Sequence, residues 1–148
     1  MLDWKLSSCQ EQTDDPTEKV RMFTVIQSDP MPGSSPPLPT SRAIRAGDYV
    51  FLSAQFSADE AGQIVNADIE TETRLTLKNV ERVLQQAELD LSSIIQVRCY
   101  LADRNDVAVF NQVYQQFFTA PYPVRTMLAG CLPCEGKVAV DVVAYAGK

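Results

Sequence analysis

The chain contains no histidine among its 148 residues. That absence removes imidazole as a general acid or base, excludes Ser-His and Cys-His nucleophile pairs, and excludes every metal site built on imidazole. Positive charge is scarce too: 13 Lys and Arg stand against 19 Asp and Glu, for a net charge of −6. Such a chain lacks the basic footprint that a phosphate backbone requires, so no nucleic-acid partner is expected. No apolar run approaches the roughly 18–20 residues of a membrane span, and no membrane partner is expected either. Residues 1–20 are polar and acidic and offer neither the apolar core nor the basic start of a signal peptide. Four cysteines, Cys9, Cys99, Cys131 and Cys134, do not make a disulfide framework in a domain of this length. A cytoplasmic protein with reduced thiols is the expectation. Cys131-Leu132-Pro133-Cys134 is a CxxC without a second pair or a histidine, and it precedes a strand-like run rather than a helix, so it reads as two loop thiols.

What remains is ordinary globular composition, 45 % hydrophobic and 22 % charged, in a length that suits one domain. Residues 1–21 lack apolar periodicity and read as a tail, with Trp4 and Leu6 as the candidates for docking onto the body and Met22 as a candidate internal start. Five prolines between Ser28 and Pro39 mark a loop. Strands are expected at Phe23–Ile26, at Ala43–Ala46 and at Tyr49–Gln55, with Gly47-Asp48 turning between the last two. Ile69, Thr73, Leu77, Val80, Val83, Leu84 and Ala87 recur at helical spacing, and Glu70, Glu72, Arg74 and Lys78 fall largely elsewhere, which predicts an amphipathic helix over 69–87. Ile95, Val97, Cys99 and Leu101 alternate as a strand. Asp106 is placed to cap a second helix over 107–118, which Pro121 and Pro123 end. Two closing strands, Thr126–Ala129 and Val138–Tyr145, complete the order β-β-β-α-β-α-β-β.

That order predicts an α+β fold, a six-stranded mixed sheet with both helices on one face. Yet Val138–Tyr145 and Tyr49–Phe51 carry apolar residues toward both faces. An uncovered apolar face invites a second copy, so a homo-oligomer is expected.

Gly47 to Gln55 is similar to a G-x-x-V-F-x-S-G-Q strand, and Thr73 to Val80 to a T-R-x-x-L-x-N-V helix. Val97 to Asp103 resembles V-x-x-Y-L-x-D, Phe110 to Phe118 resembles F-N-x-V-Y-x-x-F-F, and Pro123-Val124-Arg125 followed by Leu132-Pro133 resembles P-x-R … L-P. With these five blocks in this order, the chain resembles the Rid (YjgF, reactive-intermediate deaminase) family. The resemblance covers about Phe23 to Ala146 and implies a single domain over 22–148 with a chorismate-mutase-like fold. It further implies a homotrimer with small-molecule clefts between subunits. The activity implied is hydrolysis of reactive enamines and imines, of the 2-aminoacrylate type, to 2-keto acids and ammonia, without metal or organic cofactor.

Carried onto this chain, the resemblance makes Arg125 the substrate-binding arginine, and a guanidinium fork suits a carboxylate. Ser53 and Ala54 end a strand where backbone N–H groups meet an anionic ligand, with Ala54 at a position that is usually glycine. Asn111 matches the asparagine of the second helix near the cleft. Thr40 stands where active members carry tyrosine, and Met127 where they commonly carry cysteine. Ala139 replaces the first glutamate of the V-E-I-E strand, which is thought to position or activate water. Asp141 survives at the second acidic position, on the same side of the strand, and is the candidate replacement. Glu135 is a weaker one. Two functions follow: a divergent imine deaminase, or a trimer that keeps the carboxylate clamp and binds metabolites or partners without turnover.

Overall fold

The computed structural model describes residues 22–27 and 38–148. The remaining residues, including the expected tail, Trp4, Leu6 and most of the proline-rich loop, lie outside the described residues. Nine elements follow in order: β1 (Thr24–Gln27), β2 (Ala43–Ala46), β3 (Tyr49–Leu52), β4 (Gln55–Phe56), α1 (Ile69–Gln86), β5 (Ile94–Leu101), α2 (Val107–Phe117), β6 (Val124–Ala129) and β7 (Val138–Tyr145). They form one sheet in the order β1-β2-β3-β7-β5-β6, with β4 also pairing β7. Only β5 and β6 run parallel; the other pairs are antiparallel, so the sheet is mixed, as expected.

One parity of each strand faces the helices. Val50 and Leu52 of β3, Val97, Cys99 and Leu101 of β5, and Val138, Val140, Val142 and Ala144 of β7 enter one cluster with Leu77, Val80, Val83 and Leu84 of α1 and Phe110 and Tyr114 of α2. Both helices therefore cover the same face. The opposite face stays open, and Phe23, Tyr49, Phe51, Ile95, Val124, Leu128 and Tyr145 are exposed large apolar residues, several of them aligned on it by register.

Three local expectations are corrected. The run Tyr49–Gln55 is not one strand: it breaks at Ser53-Ala54, and the short β4 that follows makes seven strands rather than six. The alternation Ile95-Val97-Cys99-Leu101 fails at its first member. The register steps from Ile94↔Ala144 to Gln96↔Val143, so Ile95 is an extra residue in a β-bulge and is exposed, while Ile94 takes the core position. Asp106 makes no side-chain cap to α2; Asp103 instead accepts from Asn105 N at 2.8 Å and opens a 3₁₀ turn that feeds the helix. The cap of α1 is Asp68, whose Oδ1 accepts from Thr71 N at 2.7 Å.

Glu72 also departs from its expected polar face. Its carboxylate is wholly buried, accepting from Ser57 Oγ at 3.3 Å, Ala67 N at 3.0 Å, Lys137 N at 2.7 Å and Lys137 Nζ at 3.4 Å. It ties α1 to the two loops that precede α1 and β7. Gly136, at φ +137°, gives the second loop a backbone conformation that L side chains rarely adopt.

Candidate functional site

Arg125 lies on edge strand β6, in register with buried Val97, and so points to the helix-covered side rather than the open face. Its Nη1 donates to Asn111 Oδ1 at 2.8 Å, and its guanidinium carbon stands 4.8 Å from the centre of the Tyr114 ring. One nitrogen is thus held by α2 and one flat face rests on an aromatic platform, which pre-orients the fork without consuming it. Tyr114 is fixed in turn by stacking on Phe118 with ring centres 4.3 Å apart. These side chains, with Gln115, Tyr122 and Pro123, line a cavity of about 340 Å³ at the sheet edge. Arg125 and Asn111, named from the sequence as two separate candidates, are brought into direct contact.

Tyr114 was not among the sequence candidates, because its helical spacing marks it equally as a core residue. The available signal was position: it falls three residues after Asn111, on the same helix face. Its hydroxyl oxygen is buried without a partner among the described residues. Burial pushes its phenol up to about 12, the Cys99 thiol adds to the rise, and Arg125 opposes both.

Thr40 and Ser53 belong to a different place. With Phe23, Ser41, Ile44 and Phe51 they line a cavity of about 410 Å³ beside β2 and β3, while Arg125 occupies the far edge of the sheet on β6. The expected role of the Ser53 N–H meets a conflict, since it already donates to Arg42 O at 2.8 Å and Ser53 Oγ donates to Ser41 O at 2.7 Å. Ala54 sits in the break between β3 and β4. Met127, in register with Cys99, is partly buried against the core cluster beneath Arg125.

Asp141 and Ala139 do share a face, as alternation requires, and it is the open one: they oppose Arg98 and Tyr100 of β5. Asp141 is 7 % exposed, its Oδ1 accepting from Arg98 Nε and its Oδ2 from Tyr100 Oη, each at 2.8 Å. The bond to Asp141 raises the Arg98 guanidinium above its ordinary value, and burial followed by that same carboxylate raises the Tyr100 phenol. Within one chain, Arg125 and Asp141 are therefore on opposite faces of the sheet. Glu135 is exposed in the loop before β7. Cys131 and Cys134 are free and exposed in that same loop, and no group of residues suited to a metal ion occurs among the described residues. No described helix is long and apolar enough to cross a membrane.

The chain is similar to known proteins in sequence and in fold. The family model described as Endoribonuclease L-PSP matches residues 34–146. A RutC family protein of Pyrococcus horikoshii is 36 % identical over 109 residues, covering 72 % of this chain and 86 % of the relative. A 2-iminobutanoate/2-iminopropanoate deaminase of Bos taurus is 31 % identical over 111 residues, covering 74 % of this chain and 81 % of the relative. Among solved structures, E. coli TdcF with bound serine superposes with a TM-score of 0.70 at 28 % identity, covering 86 % of this chain and 99 % of that one.

Proposed function

The chain belongs to the Rid (YjgF) family, matched as Endoribonuclease L-PSP, and from that membership we propose that it is a cytoplasmic homotrimer hydrolysing small reactive imines in clefts between its copies. The substrate class is the 2-imino acid and its enamine tautomer. Arg125 grips the carboxylate, water adds to the imine carbon, and the resulting carbinolamine expels ammonia to leave the 2-keto acid.

The observation that carries this reading is the division of the candidate residues between the two ends of one sheet. Arg125 and Asn111 stand at the β6 edge, and Thr40 and Ser53 beside β2 and β3. A head-to-tail contact that closes into a ring brings the β6 edge of one copy against the β2–β3 end of the next. The apolar open face supplies the surface for it. Asp141 then serves as the water-activating group from the open face, since Ala139 offers only a methyl.

A second reading is favoured by a specific feature: both oxygens of Asp141 are already engaged, by Arg98 and Tyr100. In that reading the trimer binds small carboxylates through Arg125 without turnover. Release of ammonia and keto acid from freshly generated 2-aminoacrylate, run beside a 2-keto acid titration, separates the two. Arg125→Ala is expected to weaken keto-acid binding by about 30-fold to several thousand-fold while the oligomer persists. Arg125→Lys restores only part, because a point charge does not reproduce the fork. Unchanged binding in Arg125→Ala overturns the clamp. Light scattering at three chain masses supports the ring, and a clean monomer removes the inter-subunit cleft.

A further inference from the structure

Between α1 and β4 lies a third cavity, of about 330 Å³, which shares no lining residue with the Arg125 cavity. The guanidinium-bearing side chains of Arg42 and Arg82 both line it. Neither forms an ion pair among the described residues. Arg42 Nε is buried and has no hydrogen-bond partner among the described residues. A buried donor on a charged group carries a desolvation cost that an acceptor would remove. Arg82 is oriented by a built support: Asn79 Nδ2 donates to Phe56 O at 2.8 Å and Ala58 O at 2.9 Å, and Asn79 Oδ1 accepts from Arg82 Nη1 at 3.3 Å. The amide thus fastens α1 to β4 and holds the guanidinium at the cavity wall.

The same lining carries opposite charge. Asp59 and Glu60 border the cavity, and Asp59 Oδ1 accepts from Gln63 N at 3.0 Å, which fixes that carboxylate in its turn. Two cations and two anions leave little net field for a dianion such as phosphate, whereas a zwitterion answers both sets. Phe56 and Val83 add apolar wall.

We propose that this cavity is a binding site for a free α-amino acid with a small aliphatic side chain. The carboxylate lies on Arg42 and Arg82, the ammonium on Asp59 and Glu60, and the side chain against Phe56 and Val83. The site is independent of the proposed deamination, so its test is run in the full-length Arg125→Ala chain, where the other carboxylate clamp is removed.

L-valine, 3-methylbutanoate, 2-methylpropylamine and inorganic phosphate are titrated separately, and backbone amide resonances of Ala58, Asp59 and Gln86 are followed by NMR. Valine is expected to shift these resonances saturably. The analogues lacking the ammonium or the carboxylate are expected to bind at least about tenfold more weakly, and Arg42→Met and Arg82→Gln to weaken valine by a similar factor. Should Arg42→Met not fold, Arg82→Gln decides alone. Absence of a saturable shift with valine, valine affinity unchanged in the arginine variants, or phosphate or 3-methylbutanoate binding as tightly as valine each overturns the proposal.

Discussion

Along β7, Val138, Val140, Val142 and Ala144 disappear into the cluster beneath α1 and α2, while Ala139, Asp141, Val143 and Tyr145 line the opposite side. Each set is mostly apolar, yet only the first is closed by its own chain. On the covered side, Glu72 has four donors around one carboxylate. On the open side, Tyr49, Phe51 and Leu128 remain 40–50 % exposed, with individual values of 45 %, 41 % and 50 %, and Asp141 is held by an arginine whose side chain is itself 53 % exposed. The covered face supplies the stability of the single chain. The open face carries large apolar side chains that the described residues do not cover. A sheet with apolar residues on both sides calls for two covering layers, and the described residues supply one of them.

The largest effects that separate these faces fall on the covered side. Glu72→Ala strands the Ala67 and Lys137 backbone donors and removes the counter-charge of Lys137, and is expected to cost about 3–5 kcal/mol in chemical denaturation. A loss below about 1 kcal/mol would mean that the two loops do not depend on the pin. Leu77→Ala, at a side chain with no exposed surface, is expected to cost about 2–5 kcal/mol. The matching change on the open face, Phe51→Lys, removes little intramolecular contact. It is expected to shift the stability of the isolated fold by less than about 1 kcal/mol and to break assembly, read as a fall in mass by light scattering. An intact oligomer in Phe51→Lys would move the interface elsewhere.

Asp141→Asn probes the polar centre of the open face. The substitution keeps the shape but gives up a charge-assisted bond to Arg98, and because Arg98 is half exposed a cost of about 1 kcal/mol is expected. Activity sharpens the reading. If Asp141 activates water, ammonia release falls by about 10²-fold or more; if it only clamps Arg98 and Tyr100, turnover changes no more than stability does.

Much of this organisation is legible in the sequence because it is local. The 3.6-residue period of α1 gives its extent to within one residue, 69–87 against Ile69–Gln86. The mixed sheet with helices on one side follows from element order. Failures occur where long-range pairing overrides local pattern. Ile95 alternates with its neighbours on paper, but the register against β7 inserts it as a bulge. Ser53-Ala54 looks like continuing strand until β4 is seen to pair a different part of β7 from β3. Arg125 and Asn111 are candidates only through family resemblance, and the contact between them, across 14 residues of sequence, is seen only in the structure. Glu72 and Asp141 bond to partners 65 and 41 or 43 residues away, a relation that no spacing rule contains. Tyr114 serves core and cavity with one ring, so periodicity alone assigns it to the core.

The smallest expected effect sets two thiols against each other. Cys99 is wholly buried on the covered side, and burial pushes its thiol from 9.0 up to about 12, although the Arg125 charge opposes the rise. Cys131 is exposed in the loop before β7. A thiol attacks as its anion, so iodoacetamide at neutral pH is expected to modify Cys131 in the folded chain and to leave Cys99 intact until unfolding, read by peptide mass mapping. The same shift has a signed consequence for stability. Below pH about 9 the Cys99 thiol is neutral in both folded and unfolded chains and the full stability is present; as pH rises toward about 12, the unfolded chain releases the proton first and is favoured. Stability should therefore decline with pH across that window. Tyr114, raised from 10.0 to about 12, adds a decline in the upper part of it. Cys99→Ala should flatten the slope between about 9 and 10, where the tyrosine does not yet contribute. Equal alkylation of Cys99 and Cys131 in the folded chain would show that the covered face opens far more readily than its packing implies, and would erase the contrast between the two faces at this position.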